Sequence, residues 1–486
     1  MSSRSLLWLA ATLTFGGCLP HRRVASPEPA VTLPDRFASR EETTIGAAER
    51  DDRWWLRYDD PTLHALVEQA LATNVSLRSG FAAIEHARAL EDQARAAQLP
   101  RVAAQGSAGY NRSITAFGSG NSWRLDASLP VSYEVDFFAR HRASRRAASE
   151  DRSASELDAA ALAISTSAQV AEAWYALVEA RRRKAVLAEQ HRIDETYLEL
   201  VRLRFARGLA SAVDVHQQRQ QVAGSAAELE GVDATIEVLR QQLAILLGTP
   251  AAELGPLPQD AEFPELGPSP APGVPASAVW GRPDVRAAQR RVQASDWRVG
   301  AAIASRLPTV TLNLTPGYTW SRNEFSIAGM PPRPTTTHGW TLNAGASLSV
   351  PLFDGFAGRG RVDQQRALLQ RQVEALAQTV LTALLEVESA IVQERQQART
   401  VALLEAQAEI AEQTLQSARD RYRAGLSDFL PVLAALKAQH GVELRLLAAR
   451  RQLVSRRIQL HRALGGAWAE DLGRPNPTPL REGGRG

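Results

Sequence analysis

The sequence has almost no sulfur. A single cysteine, Cys18, excludes a disulfide framework, and two methionines in 486 residues leave no soft-ligand relay for a metal. The nine histidines are scattered, without an HExxH pair or another zinc-ligand spacing, and there is no glycine-rich phosphate loop. These absences argue against an enzyme and against a resident cofactor. A dominant sign of charge is lacking too. The formal net charge is only +3, with no localised basic patch, so nucleic acid is not an expected partner. The densest run, Arg181-Arg182-Arg183-Lys184, lies inside a helical pattern and reads as a solvated helix face. Beyond the first residues, no unbroken apolar run reaches eighteen residues. The expectation is therefore no transmembrane helix, with any membrane crossing made of strands.

What is present begins at the N-terminus. Arg4 precedes an apolar run from Leu6 to Phe15 and then Gly16-Gly17-Cys18. A charged start, a short apolar core and small residues before a cut site describe a secretory signal over 1–17. Cys18 stands where a bacterial lipoprotein signal places its lipidated residue. Leu19 follows it, so the aspartate that retains lipoproteins at the inner membrane is absent. On this reading the covalent lipid on Cys18 is the only attached group, and several acyl chains would anchor the chain firmly. Residues 18–50, rich in proline, serine and charge, read as an extended tether.

From Trp54-Trp55 to Gln98 the apolar period is helical, with Leu63, Leu66, Val67, Ala70 and Leu71 on one face and a stop before Leu99-Pro100. The period then changes to two. Val102, Ala104, Gly106, Ala108 and Tyr110 alternate with polar or small residues. After a polar Gly/Ser/Asn loop, Trp123, Leu125, Ala127, Leu129, Val131, Tyr133 and Val135 do the same. This predicts a hairpin over about 101–137, with Tyr110 and Trp123 at its loop end. Strands of about ten tilted residues cross a bilayer's hydrocarbon core, and aromatics at their ends form an interfacial girdle.

Long helices are expected over about 139–206 and 211–247, broken at Gly208. Ile164, Ala168, Ala171, Tyr175 and Val178 follow the 4-3-4-3 spacing of a coiled-coil seam. Residues 51–248 then give way to a proline-rich linker over 249–282. The pattern repeats over 283–465. There is a helix, a hairpin over about 308–353 with a loop of about twenty residues, and helices over about 356–423 and 427–464. Tyr318, Trp320 and Trp340 lie near this second loop, and Leu404, Ala408, Ala411, Leu415, Ala418 and Tyr422 form a second seam. Gly208 falls on Gly425, Arg204-Phe205 on Arg421-Tyr422, and Leu99-Pro100 on Leu307-Pro308, which marks a tandem repeat. Residues 466–486 read as a disordered tail. The predicted class is α+β, mainly α, built on coiled-coil-like helices; sixty residues of helix reach roughly 100 Å at 1.5 Å per residue.

Four amphipathic strands cannot close a barrel, and an open edge in lipid leaves backbone groups unsatisfied. Spanning therefore demands oligomers. Two copies would give eight strands filled by their own side chains, and three would give twelve, wide enough for a pore.

The ordered set Cys18, Trp54-Trp55, Asp60-Pro61-Thr62-Leu63, Tyr133-Glu134-Val135-Asp136, Phe353-Asp354-Gly355 and Arg421-Tyr422 with Gly425 resembles TolC-like outer-membrane efflux channels of the NodT lipoprotein type. The resemblance covers roughly residues 50–465. It implies a homotrimer with a twelve-stranded barrel in outer-membrane lipid, a helical tunnel in the periplasm and an equatorial belt. It implies a passive duct of a tripartite pump, exporting drugs or toxic compounds with a periplasmic adaptor and an inner-membrane RND-type transporter. It places docking at the tips, Gly208, Leu209, Gly425 and Leu426. It makes Arg204, Phe205, Ser211, Asp214, Arg421, Tyr422, Ser427 and Asp428 candidates for the aperture and its latch. In the family, acidic residues just past the second tip narrow the entrance. Here Ser427 takes that place and Asp428 follows; as a helix cap Asp428 would have a purely local role. A ring of three carboxylates would concentrate cations.

Two other channel cargoes, secreted protein and heavy metal, fit the same architecture. A structural coiled-coil envelope protein would explain the helices but not the two symmetrically placed hairpins.

Overall fold

The computed structural model describes residues 33–34, 53–116, 118–270, 275–327 and 333–466. Cys18, the signal peptide, nearly all of the 18–50 tether and the tail beyond 466 lie outside them. The helices are α1 (Pro61–Thr73), α2 (Val75–Ala96), α3 (Arg140–Ala206), α4 (Ala212–Leu246), α5 (Pro275–Trp280), α6 (Pro283–Ala304), α7 (Ala357–Arg423) and α8 (Leu430–Leu464). The strands are β1 (Arg101–Val102), β2 (Gln105–Thr115), β3 (Gly118–Ser128), β4 (Val131–Val135), β5 (Thr309–Ile327) and β6 (Arg333–Ser349). The two halves carry helices of matched length: 22 residues in α2 and α6, 67 in α3 and α7, 35 in α4 and α8. The chain forms two compact units. One holds 85–154 and 288–376, the other 30–84, 155–287 and 377–486.

The first unit is built on one antiparallel sheet. β1 pairs with β4 and β2 with β3, so the first hairpin is two long strands, each briefly interrupted. β5 pairs with both β3 and β4 along its length, and β6 pairs with the other edge of β5. The two predicted hairpins thus merge into one meander. The strands are longer and the loops shorter than the alternation suggested. The Gly/Ser/Asn stretch 118–122 is strand, with Thr115 paired to Gly118, and Phe325 pairs with Arg333 where a loop of about twenty residues was expected. Small polar residues carry no hydrophobic signal, yet their backbone groups still complete the ladder.

Both strand-to-helix junctions store strain. Ala139 and Phe356 stand one position from α3 and α7 with φ of 59° and 67°. A side chain in this region costs about 1–2 kcal/mol. At the first junction, Asp136 accepts from the backbone N–H groups of His141 and Arg142 at 3.1 and 2.9 Å. At the second, Asp354 accepts from the Gly358 N–H at 2.6 Å. A carboxylate over a helix start satisfies otherwise orphaned donors.

The second unit is held by an apolar core in which Trp54, Trp55, Tyr58, Leu63, Leu66 and Leu77 meet the seam of α3. Ile164, Ala168, Ala171, Tyr175 and Val178 are all buried. Asp60 ties this core together. Its Oδ1 caps α1 through Thr62 N and Leu63 N at 3.0 Å, and its Oδ2 accepts from Trp174 Nε1 at 2.7 Å and Tyr175 Oη at 3.2 Å. Burial, and then the Asp60 charge, push the Tyr175 phenol far above its ordinary pKa.

The halves repeat one helix-ending device. Asn74 Nδ2 donates to Leu246 O at 2.8 Å, and Arg282 donates to Ala463 O at 2.9 Å. Each supplies a donor to a terminal helix carbonyl that would otherwise lack one. Arg282 also pairs with Asp284 and Glu386, each at 2.7 Å.

The linker 249–270 is clamped rather than loose. Arg181 donates to Pro258 O. Arg182 donates to Ala261 O at 3.1 Å and pairs with Glu262 at 2.6 Å, while Lys184 pairs with Asp233. The basic run is therefore not a solvated face; three of its four members hold partners in other segments. Farther along, Arg457 donates to Gly267 O and Pro268 O and pairs with Glu394 at 2.5 Å, and Ser269 Oγ donates to the same carboxylate.

α7 keeps the expected lack of an unbroken apolar run, yet its average is high. α7 contains an eighteen-residue window of mean hydropathy 1.5, only a third of it buried, so it is long and apolar enough to cross a membrane by composition. Interspersed Gln, Thr and Glu break the run without removing its apolar average. Leu381, Leu385, Val392, Leu403 and Ile410 are exposed along this helix.

The Arg457–Glu394 pair is nearly fully buried. Arg457→Met alone is expected to lower the unfolding free energy by about 3–5 kcal/mol, because it strands a buried charge. Adding Glu394→Leu should restore most of that loss. Denaturant titration of the three proteins checks this, and equal loss in the single and double variants would rule out stranding as the cause.

Candidate functional site

The candidate residues fall in two places, the helix ends of the second unit and the sheet of the first. At the helix ends, α3 and α7 stop in the same way. Gly208 and Gly425 have φ of 72° and 75°, where any other residue is strained. Leu209 N donates back to Arg204 O at 2.8 Å and Leu426 N to Arg421 O at 2.9 Å, closing the last turn in a Schellman arrangement.

The chain after each glycine differs. Ser211 and Asp214 form a reciprocal capping box: Ser211 Oγ accepts from Asp214 N at 3.2 Å and Asp214 accepts from Ser211 N at 2.9 Å. The second turn has no polar cap. α8 starts at Leu430, three residues later than expected, with Phe429 at the capping position and Pro431 in the first turn. Phe429 is buried in an apolar cluster with Val201, Leu415, Tyr422, Val432 and Leu436. Asp428 is therefore not the helix cap; it is exposed and makes no hydrogen bond or ion pair among the described residues. Ser427 Oγ is buried without a partner.

Arg204 and Tyr422 are brought together. The guanidinium lies 4.1 Å from the Tyr422 ring centroid, a cation–π distance, and Nη1 reaches Tyr422 O at 3.5 Å. Burial raises the Tyr422 phenol pKa; Arg204 opposes that shift and Asp214 adds to it. Phe205 and Arg421 are not drawn into this contact and stay exposed. Leu209 and Leu426 are 63% and 70% exposed, and Val213 and Leu430 are also exposed, so the turns present an apolar patch. Sequence reasoning missed Phe429 and the Arg419–Tyr197 contact, in which Arg419 Nε donates to the phenol oxygen. Position 429 lies between a Gly/Ser/Asp turn and Pro431 and has no seam spacing, so nothing in its pattern marks it.

On the sheet, alternation sorts the faces. Directly paired residues point the same way. Val310, Leu312, Leu314, Tyr318 and Trp320 of β5 share a face with Leu125, Tyr133, Trp340, Leu342 and Leu348 of its neighbours. Most of these large side chains are exposed, Trp340 to 84%. The opposite face is polar: Asp126 accepts from Thr319 Oγ1 at 2.8 Å and Arg124 Nε at 2.8 Å, and Ser122 donates to Asn323 at 2.6 Å. The predicted girdle residues sit within strands rather than at loop ends. Tyr110 pairs with Trp123 at 5.0 Å between ring centroids and Tyr318 with Trp340 at 5.3 Å, and the first hairpin continues five rungs beyond Tyr110. The edges of β2 and β6 have no partner strand within the described residues. Among those residues, no group of three His, Cys, Asp or Glu could hold a metal ion.

Comparisons with known proteins bear on this arrangement. A family profile described as outer membrane efflux protein matches residues 66–249 and 274–466. The chain is 28% identical to outer membrane protein OprJ of Pseudomonas aeruginosa, over 95% of each chain. It is 27% identical to nodulation protein T of Rhizobium leguminosarum bv. trifolii, over 94% of this chain and 96% of that one. Toluene efflux pump outer membrane protein TtgC of Pseudomonas putida is 27% identical over 98% of both. Among solved structures, the outer-membrane channel OprN superposes with a TM-score of 0.83 at 28% identity, over 93% of this chain and 100% of that one. VceC of Vibrio cholerae gives 0.74 at 25% identity, over 86% and 100%. With both halves matched by the profile and a fold shared with solved outer-membrane channels, the chain belongs to the outer membrane efflux protein family.

Proposed function

We propose that this outer-membrane efflux channel works as a homotrimeric, passive duct whose three four-stranded sheets close a twelve-stranded barrel. The observation that carries the reading is the sheet itself: one face apolar and largely exposed from Val310 to Trp320, the other polar, and the edges of β2 and β6 without a partner strand among the described residues. In lipid every backbone donor and acceptor needs a partner, so β2 of one copy takes β6 of the next. The apolar faces meet lipid, and Tyr110, Trp123, Tyr318, Trp320 and Trp340 form the girdle. The polar face, with Arg124 and Asp126, lines the lumen.

The exposed apolar stripe of α7 belongs to the same assembly. Leu381, Leu385, Val392, Leu403 and Ile410 are covered by neighbouring copies rather than by lipid, since Glu386 and Glu394 on this helix are held in ion pairs with Arg282 and Arg457. A tandem duplication gives each copy two helix pairs of equal length, so three copies wall a tube with pseudo-sixfold repetition. Residues 249–282 form the equatorial belt. Cys18, acylated after removal of 1–17, anchors the chain.

The apolar patch of Leu209, Val213, Leu426 and Leu430 is the docking surface for a periplasmic adaptor, which joins an inner-membrane RND-type transporter that supplies the energy. Arg204 on Tyr422 latches the helix pairs, and the free carboxylates of Asp428 form a ring at the entrance. Relatives include a toluene efflux component and a pyoverdine export protein from Pseudomonas aeruginosa that is 27% identical. The duct therefore tolerates unlike small cargoes, and selection lies with the inner partner.

Two tests follow. Outer-membrane fractions are expected to contain a heat-modifiable trimer on a gel, and a soluble monomer would refute the barrel. Gly425→Pro should abolish export while leaving trimers intact, because proline cannot adopt positive φ. Wild-type resistance to exported compounds in that variant would remove the tip from the mechanism.

A further inference from the structure

Buried polar atoms without partners gather near the helix ends. Asp194 Oδ1, Gln218 Oε1 and His440 Nε2 are all inaccessible and unpaired, as are Arg204 Nε, Tyr422 Oη and Ser427 Oγ. An orphaned buried polar group costs about 1–3 kcal/mol, so this concentration marks a region held in a costly arrangement. The first three belong to one polar layer. Asp194 and Gln218 are 0% exposed and His440 is 7% exposed. Gln218 Nε2 donates to Asp194 O at 2.8 Å and Gln221 Nε2 to Asp194 Oδ2 at 3.2 Å. Gln190 Nε2 donates to Glu443 at 3.1 Å and approaches His440 O at 3.4 Å. The layer thus joins α3 (Gln190, Asp194), α4 (Gln218, Gln221) and α8 (His440, Glu443), with Arg419 of α7 beside it on Tyr197.

We propose that this layer is a proton-responsive latch, distinct from the turn residues, that keeps the helix pairs packed at neutral pH and loosens them in acid. The inference rests on the duct reading, in which these helices must part to open. Asp194 Oδ1 and Gln218 Oε1 accept from no donor, His440 Nε2 has no partner either, and His440 is the one member whose charge changes near neutral pH. The charged groups around it are Asp194 from α3, Glu443 from α8 and Arg419 from α7; α4 contributes only amides. Burial dominates and lowers the His440 pKa below 6.5, Asp194 and Glu443 pull it back up, and Arg419 adds to the lowering. The packed layer therefore binds fewer protons than a loosened one. Its stabilisation is complete above 6.5 and is lost as pH falls toward the depressed value. An external medium reaches the periplasm, so acid outside the cell would favour opening.

Hydrogen exchange on the intact trimer tests this without needing a channel. Between about pH 7.5 and about pH 5.5, protection across residues 436–444, corrected for intrinsic rates, should fall roughly threefold to tenfold. It should stay flat in His440→Gln, and in Asp194→Asn the fall should shift to lower pH. Conductance in planar bilayers should rise over the same range in the wild type and not in His440→Gln. Unchanged protection in the wild type, or an acid response kept by His440→Gln, would overturn the latch. A trimer that never conducts counts against the duct reading alone, because exchange still decides the latch.

Discussion

A sheet with an apolar face and two bare edges is not a finished object in a bilayer. Each unpaired N–H and C=O along β2 and β6 carries a desolvation cost of several kcal/mol in hydrocarbon, which far exceeds what any single side chain returns. Partnering through a second copy of the same sheet removes the cost without new chemistry, because the unpaired donors and acceptors of one edge meet those of the complementary edge on the next copy. The closure proposed above accounts for the alternation seen on β5: Val310, Leu312 and Leu314 on one face, Thr309, Thr311 and Asn313 on the other. Membrane insertion and oligomerisation are in this sense one requirement.

The long helices answer to a different constraint. Neither long helix is apolar along one face over its whole length, although α7 exposes Leu381, Leu385 and Leu403. Ala168 and Ala171 are small and buried, which lets neighbours approach closely, while Trp174, Tyr175 and Leu177 fill the core where the linker adds a further layer. The proline-rich linker packs Leu254, Leu257, Ala261, Phe263 and Leu266 against that core. Its carbonyls are held as well, by Arg181, Arg182 and Arg457. Guanidinium groups suit this task because one planar fork can serve carbonyls and a carboxylate at once.

Much of this was legible in the chain. Period-two stretches located the sheet, glycine stops located the turns, and the 4-3-4-3 spacing picked the residues of α3 that are buried. What escaped shares a physical cause. The stretch 118–122 is strand because its backbone completes a ladder with β2 and β5, and a ladder leaves no mark on glycine, serine and asparagine. Asp428 reads as a cap by residue type. Yet α8 begins beyond it because Phe429 is drawn into the apolar cluster, and that pull comes from residues more than two hundred positions away, such as Val201. Arg181 and Arg182 look solvated because their partners are backbone oxygens of the linker. Long-range polar pairing has no periodicity to read.

The two helix ends, alike in sequence at Gly208 and Gly425, are unlike in energy. The first turn is closed by a self-contained capping box that asks nothing of its neighbours. The second lacks any polar cap and depends on Phe429 and Tyr422 staying buried against α3. A turn that satisfies itself can move as a unit. A turn that relies on packing loses its stabilisation when the neighbouring helix withdraws. The second pair is therefore the one whose arrangement is coupled to its surroundings, through Arg204 at the turn and through Asp194 and His440 one layer deeper. Orphaned polar atoms on both sides of that contact lower the cost of leaving it, since water would satisfy them in a loosened state. On the duct reading proposed above, that balance suits a gate: packed firmly enough to stay shut, and paired poorly enough to be opened by a modest binding energy.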